Sequence, residues 1–206
     1  MLRQSIRTGI TQVSLALREP EQFAARWETD APYGLAVWIG LGTTAILGTS
    51  LYGITMGLGG GLAAIGTKSL LLSVAAGLAW AIPLPALYIL HSLGGSRLRA
   101  SSTLLAALVT TSWGGLALIA SVPINWFFSV AVPAQAPDLL SPTIARAIVM
   151  AINLLVFAGV GLSMSDVFRR VMLALETDRP SPPLWFLGLV GAIGAQLFYL
   201  FGIFTF

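Results

Sequence analysis

Few residues of this sequence could do chemistry, and His91 is the first to consider. It is the only histidine of the chain, and it stands where the oily stretch AIPLPALYIL gives way to HSLGGSRLRAS. An ionisable residue inside a membrane span is a candidate functional group by default. His91, however, follows the last apolar residue of the stretch, and no carboxylate lies near it in sequence to tune its protonation. The position favours an interface or loop residue, with a functional titrating group as the alternative.

Three amide side chains, Asn125, Asn153 and Gln196, lie inside apolar stretches. An unpaired amide in hydrocarbon is costly, so such residues usually form hydrogen bonds between helices. We expect all three to be buried in this way, although they could instead line a polar path for a solute. A proton- or sodium-coupled carrier also needs a carboxylate or similar relay near the bilayer midplane. The apolar stretches contain no Asp or Glu, which counts against such a carrier.

Prolines interrupt two of the apolar stretches. Pro83 and Pro85 lie in AIPLP, and Pro123 lies in SVPINW. Each proline removes a backbone donor and clashes with the preceding turn, which predicts a kink or local unwinding. A broken helix can build a transport site. We favour packing kinks because the sequence shows no obvious inverted repeat.

Catalytic and metal-binding signatures are missing from the sequence. With no cysteine and one histidine, the chain cannot form by itself an iron–sulfur cluster, a cysteine-rich zinc site or a multi-histidine metal site. HExxH and GxSxG motifs are also missing, and the glycines at 59–61 do not match a phosphate loop. We predict that the protein is not an enzyme and binds no cofactor or metal, with structural lipids as its only expected ligands.

The composition predicts a membrane protein. Charged residues make up 9% and hydrophobic residues 56% of the 206 positions, whereas about 25% of the residues of a soluble domain are charged. A helix of about 20 apolar residues crosses a bilayer. We predict an all-α polytopic fold with a cytoplasmic arm over residues 1–30 and a single transmembrane domain over residues 31–206. The five predicted spans are residues 35–57, 69–90, 103–130, 143–164 and 184–203.

The positions of the basic residues predict the orientation. Nine of the eleven Lys and Arg residues fall on the side of the N-terminus, and only Lys68 and Arg146 fall on the other, at span ends where they can snorkel. This asymmetry predicts that the N-terminus lies in the cytoplasm and the C-terminus on the outer side. We expect the membrane to be a bacterial inner membrane. So few charges do not indicate nucleic-acid binding. We expect headgroup or partner contacts from Arg3, Arg7, Arg97, Arg99, Arg169 and Arg170.

The N-terminal arm has the pattern of an amphipathic helix. Its apolar residues recur at steps of three and four, at Leu2, Ile6, Ile10, Val13 and Leu17. Phe23 and Trp27 form a second apolar pair. A helix of this kind with arginines beside its apolar face can lie in the headgroup region. The alternatives are packing against the protein itself and binding of a partner helix.

Small residues form possible helix-packing faces. Gly53 and Gly57 make a GxxxG step, and Gly188, Gly191 and Gly194 give the last span a small face. Such faces let helices approach closely. The partner could be another span of this chain, a second copy or a different integral membrane protein.

The layout resembles the Yip1-like group of small polytopic bacterial membrane proteins. The resemblance depends on LREPEQFAARW at the basic start, on about five spans, and on LPALYILHSLGGSRLRASSTLLAAL between the second and third. It implies a membrane-embedded organising or interaction role without catalysis. We therefore expect an accessory or scaffold subunit. The alternatives are a permease or channel-like component with proline-kinked helices, and a surface-sensing protein that uses residues 2–17.

Overall fold

The structure, a computed structural model, describes residues 11–29, 33–93, 95–96, 98–139, 141–176 and 184–204. All regular secondary structure in these ranges is helical, which confirms the all-α class for them. Residues 11–18 form α1, followed by α2 (Pro20–Thr29), α3 (Leu35–Gly57), α4 (Gly61–Ala81), α5 (Leu84–Leu93), α6 (Ala100–Leu139), α7 (Pro142–Leu175) and α8 (Leu184–Leu200). Arg3, Arg7 and Arg97 lie outside the described residues.

Three described segments are long and apolar enough to cross a membrane: Leu35–Leu93, Ala100–Ala131 and Thr143–Leu175. The region Leu187–Leu200 is a shorter apolar helix. The first segment has 59 residues and contains α3, a short 3-10 turn at Leu58–Gly60, α4 and α5.

Helices α3 and α4 form an antiparallel hairpin. A Cβ placed at Gly57 would meet the backbone of Ile65, and one at Gly53 would meet that of Ser69, so the two helices run past each other in opposite directions. Gly61 has a φ of 79°, which glycine adopts without strain, and it ends the turn. The predicted connection up to residue 68 is therefore too long. The residues after Gly61 include good helix formers, so only the glycines are needed for the turn.

The helices pack in the spatial order α8, α4, α3, α6, α7. Helix α3 lies in the middle, between α4 and α6. The rings of Phe157 on α7 and Phe198 on α8 are 5.0 Å apart, which brings the two outer helices together at one end. This aromatic contact belongs to a core cluster around Tyr52, while a second cluster around Phe168 fills the opposite end.

Helix α7 extends well past the predicted end of its span at residue 164. It runs to Leu175 because the sequence after Asp166 is amphipathic. The apolar residues of this extension are buried in the core cluster that also contains Ala16, Phe23 and Ala24 of α1 and α2: Val167, Phe168, Val171, Met172 and Leu175. The charged residues near position 166 therefore mark a change in the environment of α7, and the helix itself continues beyond them.

The described part of the N-terminal arm packs against the protein's own helices. Ala16, Phe23 and Ala24 are fully buried, and Val13 lies beside Gly40 of α3. These contacts fit the own-protein alternative, and the interfacial position stays a prediction. Leu2, Ile6 and Ile10 of the predicted apolar stripe lie outside the described residues.

The two proline sites behave differently. The helix is interrupted at Ile82 and Pro83, between α4 and α5, as the AIPLP sequence predicts. Pro83 is buried, whereas Pro85 is exposed in the first turn of α5, where a missing backbone donor is tolerated. Around Pro123, by contrast, α6 continues as a helix, so a break there is not observed.

Helix α8 ends in a glycine cap tied to Lys68. The Ile203 N–H donates to the Phe198 carbonyl and the Gly202 N–H to the Tyr199 carbonyl, with Gly202 at a φ of 59°. The Lys68 ammonium on α4 donates to the carbonyl oxygens of Gly202 at 2.5 Å and Ile203 at 2.9 Å. Lys68 therefore turns toward the end of α8, where a cation also interacts favourably with the helix dipole.

We expect Lys68→Met to lower the free energy of unfolding by about 2 kcal/mol, because it removes charge-assisted hydrogen bonds and keeps most of the apolar stem. Thermal unfolding in detergent measures the change. Arg146→Met is the matched control, since Arg146 is the other basic residue of that side and is exposed. Equal effects of the two substitutions would contradict a capping role for Lys68.

Candidate functional site: a buried polar network between helices

Asn125 on α6 forms a hydrogen bond to α3. Its Nδ2 donates to Thr55 Oγ1 at 2.7 Å, and the Thr55 hydroxyl donates to the Tyr52 carbonyl at 2.7 Å. One turn along α6, the Ser129 hydroxyl donates to Asn125 Oδ1 at 3.3 Å. Both ends of the Asn125 amide therefore have partners. The side chain is 0% exposed, as a fully paired amide can be.

Asn153 on α7 completes the network one helix further on. The Tyr52 hydroxyl of α3 donates to Asn153 Oδ1 at 3.0 Å, and Asn153 Nδ2 donates to the Val149 carbonyl at 2.8 Å. Tyr52 and Asn153 are both fully buried. The two amides thus join α6 and α7 to neighbouring positions of α3. We call this set of five residues the polar network: Tyr52, Thr55, Asn125, Ser129 and Asn153.

Gln196, the third predicted buried amide, lies elsewhere. Its side chain is exposed on α8 and takes no part in the polar network. The sequence placed it correctly within an apolar helix but could not show which face of α8 points outward. That choice depends on long-range contacts, here the packing of α8 against α4.

We expect Tyr52→Phe to lower the free energy of unfolding by about 1 kcal/mol, because it leaves Asn153 Oδ1 buried without its donor. Tyr199→Phe is the control, since Tyr199 is 78% exposed. In an Asn153→Leu background the cost of Tyr52→Phe should shrink, as a double-mutant cycle would measure. An undiminished cost in that background would contradict the hydrogen bond.

Hydroxyl groups join the central helices at a second level. The Ser73 hydroxyl of α4 lies 2.9 Å from the hydroxyls of both Thr49 and Ser50 on α3. On the other side of α3, the Ser112 hydroxyl of α6 donates to the Leu41 carbonyl at 2.7 Å. These bonds hold α3 to both neighbours, which is the usual role of Ser and Thr between membrane helices.

Close backbone contact between α3 and α6 depends on Gly48 and Gly115. A Cβ at Gly48 would overlap the Gly115 backbone, and one at Gly115 would come 2.9 Å from the Thr44 carbonyl oxygen. The GxxxG step predicts helix packing at Gly53 and Gly57, and the structure places both against α4. The tighter Gly48 contact is not among the predicted ones, although Gly40, Thr44 and Gly48 recur every four residues as a small-residue stripe would.

The small residues of α8 divide between two faces. Gly194 is buried, and a Cβ there would touch the Ala79 methyl of α4 at 3.4 Å. Gly188 and Gly191 are exposed, with no described atom within 4 Å of a Cβ built on either. Of the three glycines predicted to form a small face, only Gly194 packs against another helix among the described residues.

Of the arginines that we expect to contact headgroups or a partner, Arg99, Arg169 and Arg170 are described, and they lie at the α2 end of the bundle. Arg170 Nη1 pairs with Glu21 of α2 at 2.9 Å and Arg170 Nε with Asp166 at 2.9 Å, while Arg169 lies 3.5 Å from Asp166. Arg99 is exposed at the start of α6. The Arg170–Glu21 pair links α2 to α7, whereas the pairs with Asp166 lie within α7. Because they are exposed, each contributes at most about 1 kcal/mol.

His91 lies in the last turn of α5, where its carbonyl accepts the Ser96 N–H at 3.0 Å. The Ser96 hydroxyl donates to Glu176 Oε2 at 2.8 Å, which ties the turn after α5 to the end of α7. Among the described residues, no three His, Cys, Asp or Glu side chains come together as a metal site would require. These bonds hold the turn after α5 and involve the His91 backbone carbonyl, so the role of the imidazole stays a prediction.

Comparisons with protein families, with curated proteins and with solved structures gave no match to this chain. The resemblance to the Yip1-like group therefore stays a prediction.

Proposed function

We propose that this chain is a non-catalytic integral membrane protein that acts as an accessory or scaffold subunit of a membrane assembly, or organises the surrounding lipid. The observation that carries the proposal is the polar network. Asn125 and Asn153 are 0% exposed and form hydrogen bonds to Thr55 and Tyr52 of α3. Amides paired in this way hold helices together. The permease alternative needed them to line an open polar cavity and so loses its main support.

The same proposal includes five membrane crossings, by α3, by α4 with α5, by α6, by α7 and by α8. The antiparallel α3–α4 hairpin favours two crossings within the segment Leu35–Leu93. Arg99, Arg169 and Arg170 lie at the α2 end, whereas Lys68 caps α8 at the other end. By the positive-inside rule this favours a cytoplasmic N-terminus in a bacterial inner membrane.

Single-cysteine labelling tests this topology on a chain that has no cysteine of its own. Leu62 and Leu93 are 88% and 79% exposed and flank α4 and α5. Leu62→Cys should react with a membrane-impermeant maleimide added to intact cells, and Leu93→Cys only after the membrane is opened. Reaction of both residues from the same side would overturn the five-crossing topology.

Gentle detergent extraction of the native membrane, followed by sizing and mass spectrometry of co-migrating chains, tests the assembly role. We expect the chain to travel stoichiometrically with other integral membrane proteins. If it runs without any other protein, the accessory-subunit proposal fails. Solute leakage from vesicles reconstituted with the pure protein, relative to protein-free vesicles, would then revive the permease alternative.

Deletion of residues 2–17 tests the surface-sensing alternative separately. That alternative expects the protein to lose its location or its assembly while its spans still fold. Because α1 and α2 pack on the protein's own helices, we expect the deletion to lower stability as well.

A further inference from the structure

The outward face of α8 carries the one amide of the predicted spans that the polar network does not use. Asn125 and Asn153 are buried and paired between helices. Gln196 lies in the apolar helix Leu187–Leu200 and is exposed, and its side-chain amide forms no hydrogen bond with any residue that the structure describes. An amide facing hydrocarbon without a partner is costly, so this position calls for a partner from outside the chain.

The surface around Gln196 permits close approach of another helix. Gly188, Ala192, Ala195 and Tyr199 recur at steps of four, three and four, and all are exposed. Gln196 lies four residues after Ala192 on the same side of α8. The opposite side of the helix is already used, since Leu187, Val190 and Gly194 are buried. The outward face thus combines small residues with a hydrogen-bonding group.

We propose that α8 is the contact helix of a symmetric dimer of this chain, in which Gln196 forms reciprocal hydrogen bonds with Gln196 of the partner subunit. A glutamine amide carries both a donor and an acceptor, so two identical amides across a two-fold axis complement each other. Both copies have the same orientation in the membrane, so their α8 helices run parallel and the two amides lie at the same depth. A different protein would have to supply a matching group at that depth, whereas a second copy always does.

The inference depends on the proposed function only for the position of α8 inside the bilayer. It identifies a second copy of the chain as the partner that binds the outward face of α8, for which the proposed function names no partner. The two can fail separately. A homodimer without any other co-purifying protein would refute the accessory-subunit role alone, and a larger assembly without contact between α8 helices would refute the dimer alone.

Disulfide cross-linking of the full chain in its membrane tests the dimer. The Cα atoms of two cysteines must come within about 7 Å to be bridged, so Ala195→Cys should give a product of twice the 21.7 kDa chain mass under mild oxidation. Leu155→Cys is the control, because Leu155 is 69% exposed and, two residues before Phe157, lies on the side of α7 opposite to its contact with α8. Little or no dimer is expected from that variant.

Gln196→Leu in the Ala195→Cys background tests the hydrogen bond itself. We expect about a threefold to tenfold lower yield of the cross-linked dimer, as interhelical hydrogen bonds in membranes contribute modestly. An unchanged yield, no cross-link at Ala195→Cys, or a cross-link to a different protein would each overturn the proposal.

The chain without introduced cysteines gives an independent measurement. Light scattering in mild detergent should report a dimer, and the Gln196→Leu variant should shift toward monomer at the same concentration. A monomeric unmodified chain under conditions in which it keeps its helical content would also overturn the proposal.

Discussion

Replacing Gly48 by alanine is expected to destabilise the folded bundle by about 3 kcal/mol, the largest effect of any single methyl group that we predict for this chain. The added Cβ would overlap the Gly115 backbone, which cannot turn away as a flexible side chain can. Overpacking of well-packed sites costs about 1–3 kcal/mol, and contact with backbone favours the upper end. Unfolding of the purified protein by added SDS in mixed micelles, followed by circular dichroism, measures the loss.

Gly42→Ala is the matched control in the same helix. A Cβ at Gly42 has no described atom within 4 Å. Since alanine is the better helix former, this variant should be neutral or up to about 1 kcal/mol more stable. A Gly48→Ala protein as stable as the Gly42→Ala protein would mean that α3 and α6 do not approach as closely as the structure shows.

The helical class and several turns follow directly from the sequence. Apolar length predicts the segments that can span a membrane, and the prolines of AIPLP predict the break between α4 and α5. These features are local, because backbone donors and hydropathy act within a few residues. Pro123 shows that a proline does not always predict a helix break, since α6 continues past it as a helix.

Helix ends and helix faces are harder to predict because they depend on distant contacts. Charges near Asp166 indicate where a span leaves the hydrocarbon, but α7 continues to Leu175 because α2 covers its apolar side. Hydropathy predicts whether a residue prefers hydrocarbon or water, but it does not predict where the hydrogen-bonded helix ends. The exposed side of Gln196 could not be predicted for a similar reason, because packing on α4 decides which face of α8 is free.

The second large effect is expected at the N-terminal arm, from Phe23→Ala. Phe23 is fully buried, and its ring stacks on Tyr33 with centroids 4.3 Å apart. Truncating a buried phenylalanine to alanine costs about 3–5 kcal/mol. Because Phe23 is the largest fully buried side chain of α2 and lies in the core cluster with Phe168 of α7, we expect the loss to appear as undocking of α2 from α7 while the spans stay folded.

A cysteine at Ala24, which is also fully buried in α2, reports the undocking. Its reaction with a soluble maleimide should be slow while α2 is docked. Since every 1.4 kcal/mol is tenfold, Phe23→Ala should raise the reaction rate at least about 100-fold. Gln22→Ala is the control, because Gln22 is exposed in the same helix, and it should leave the rate unchanged. Equal rates in the two variants would contradict docking on the protein and favour the headgroup position that the sequence pattern suggested. Fast reaction only in the Phe23→Ala variant would show that the protein's own core holds the arm.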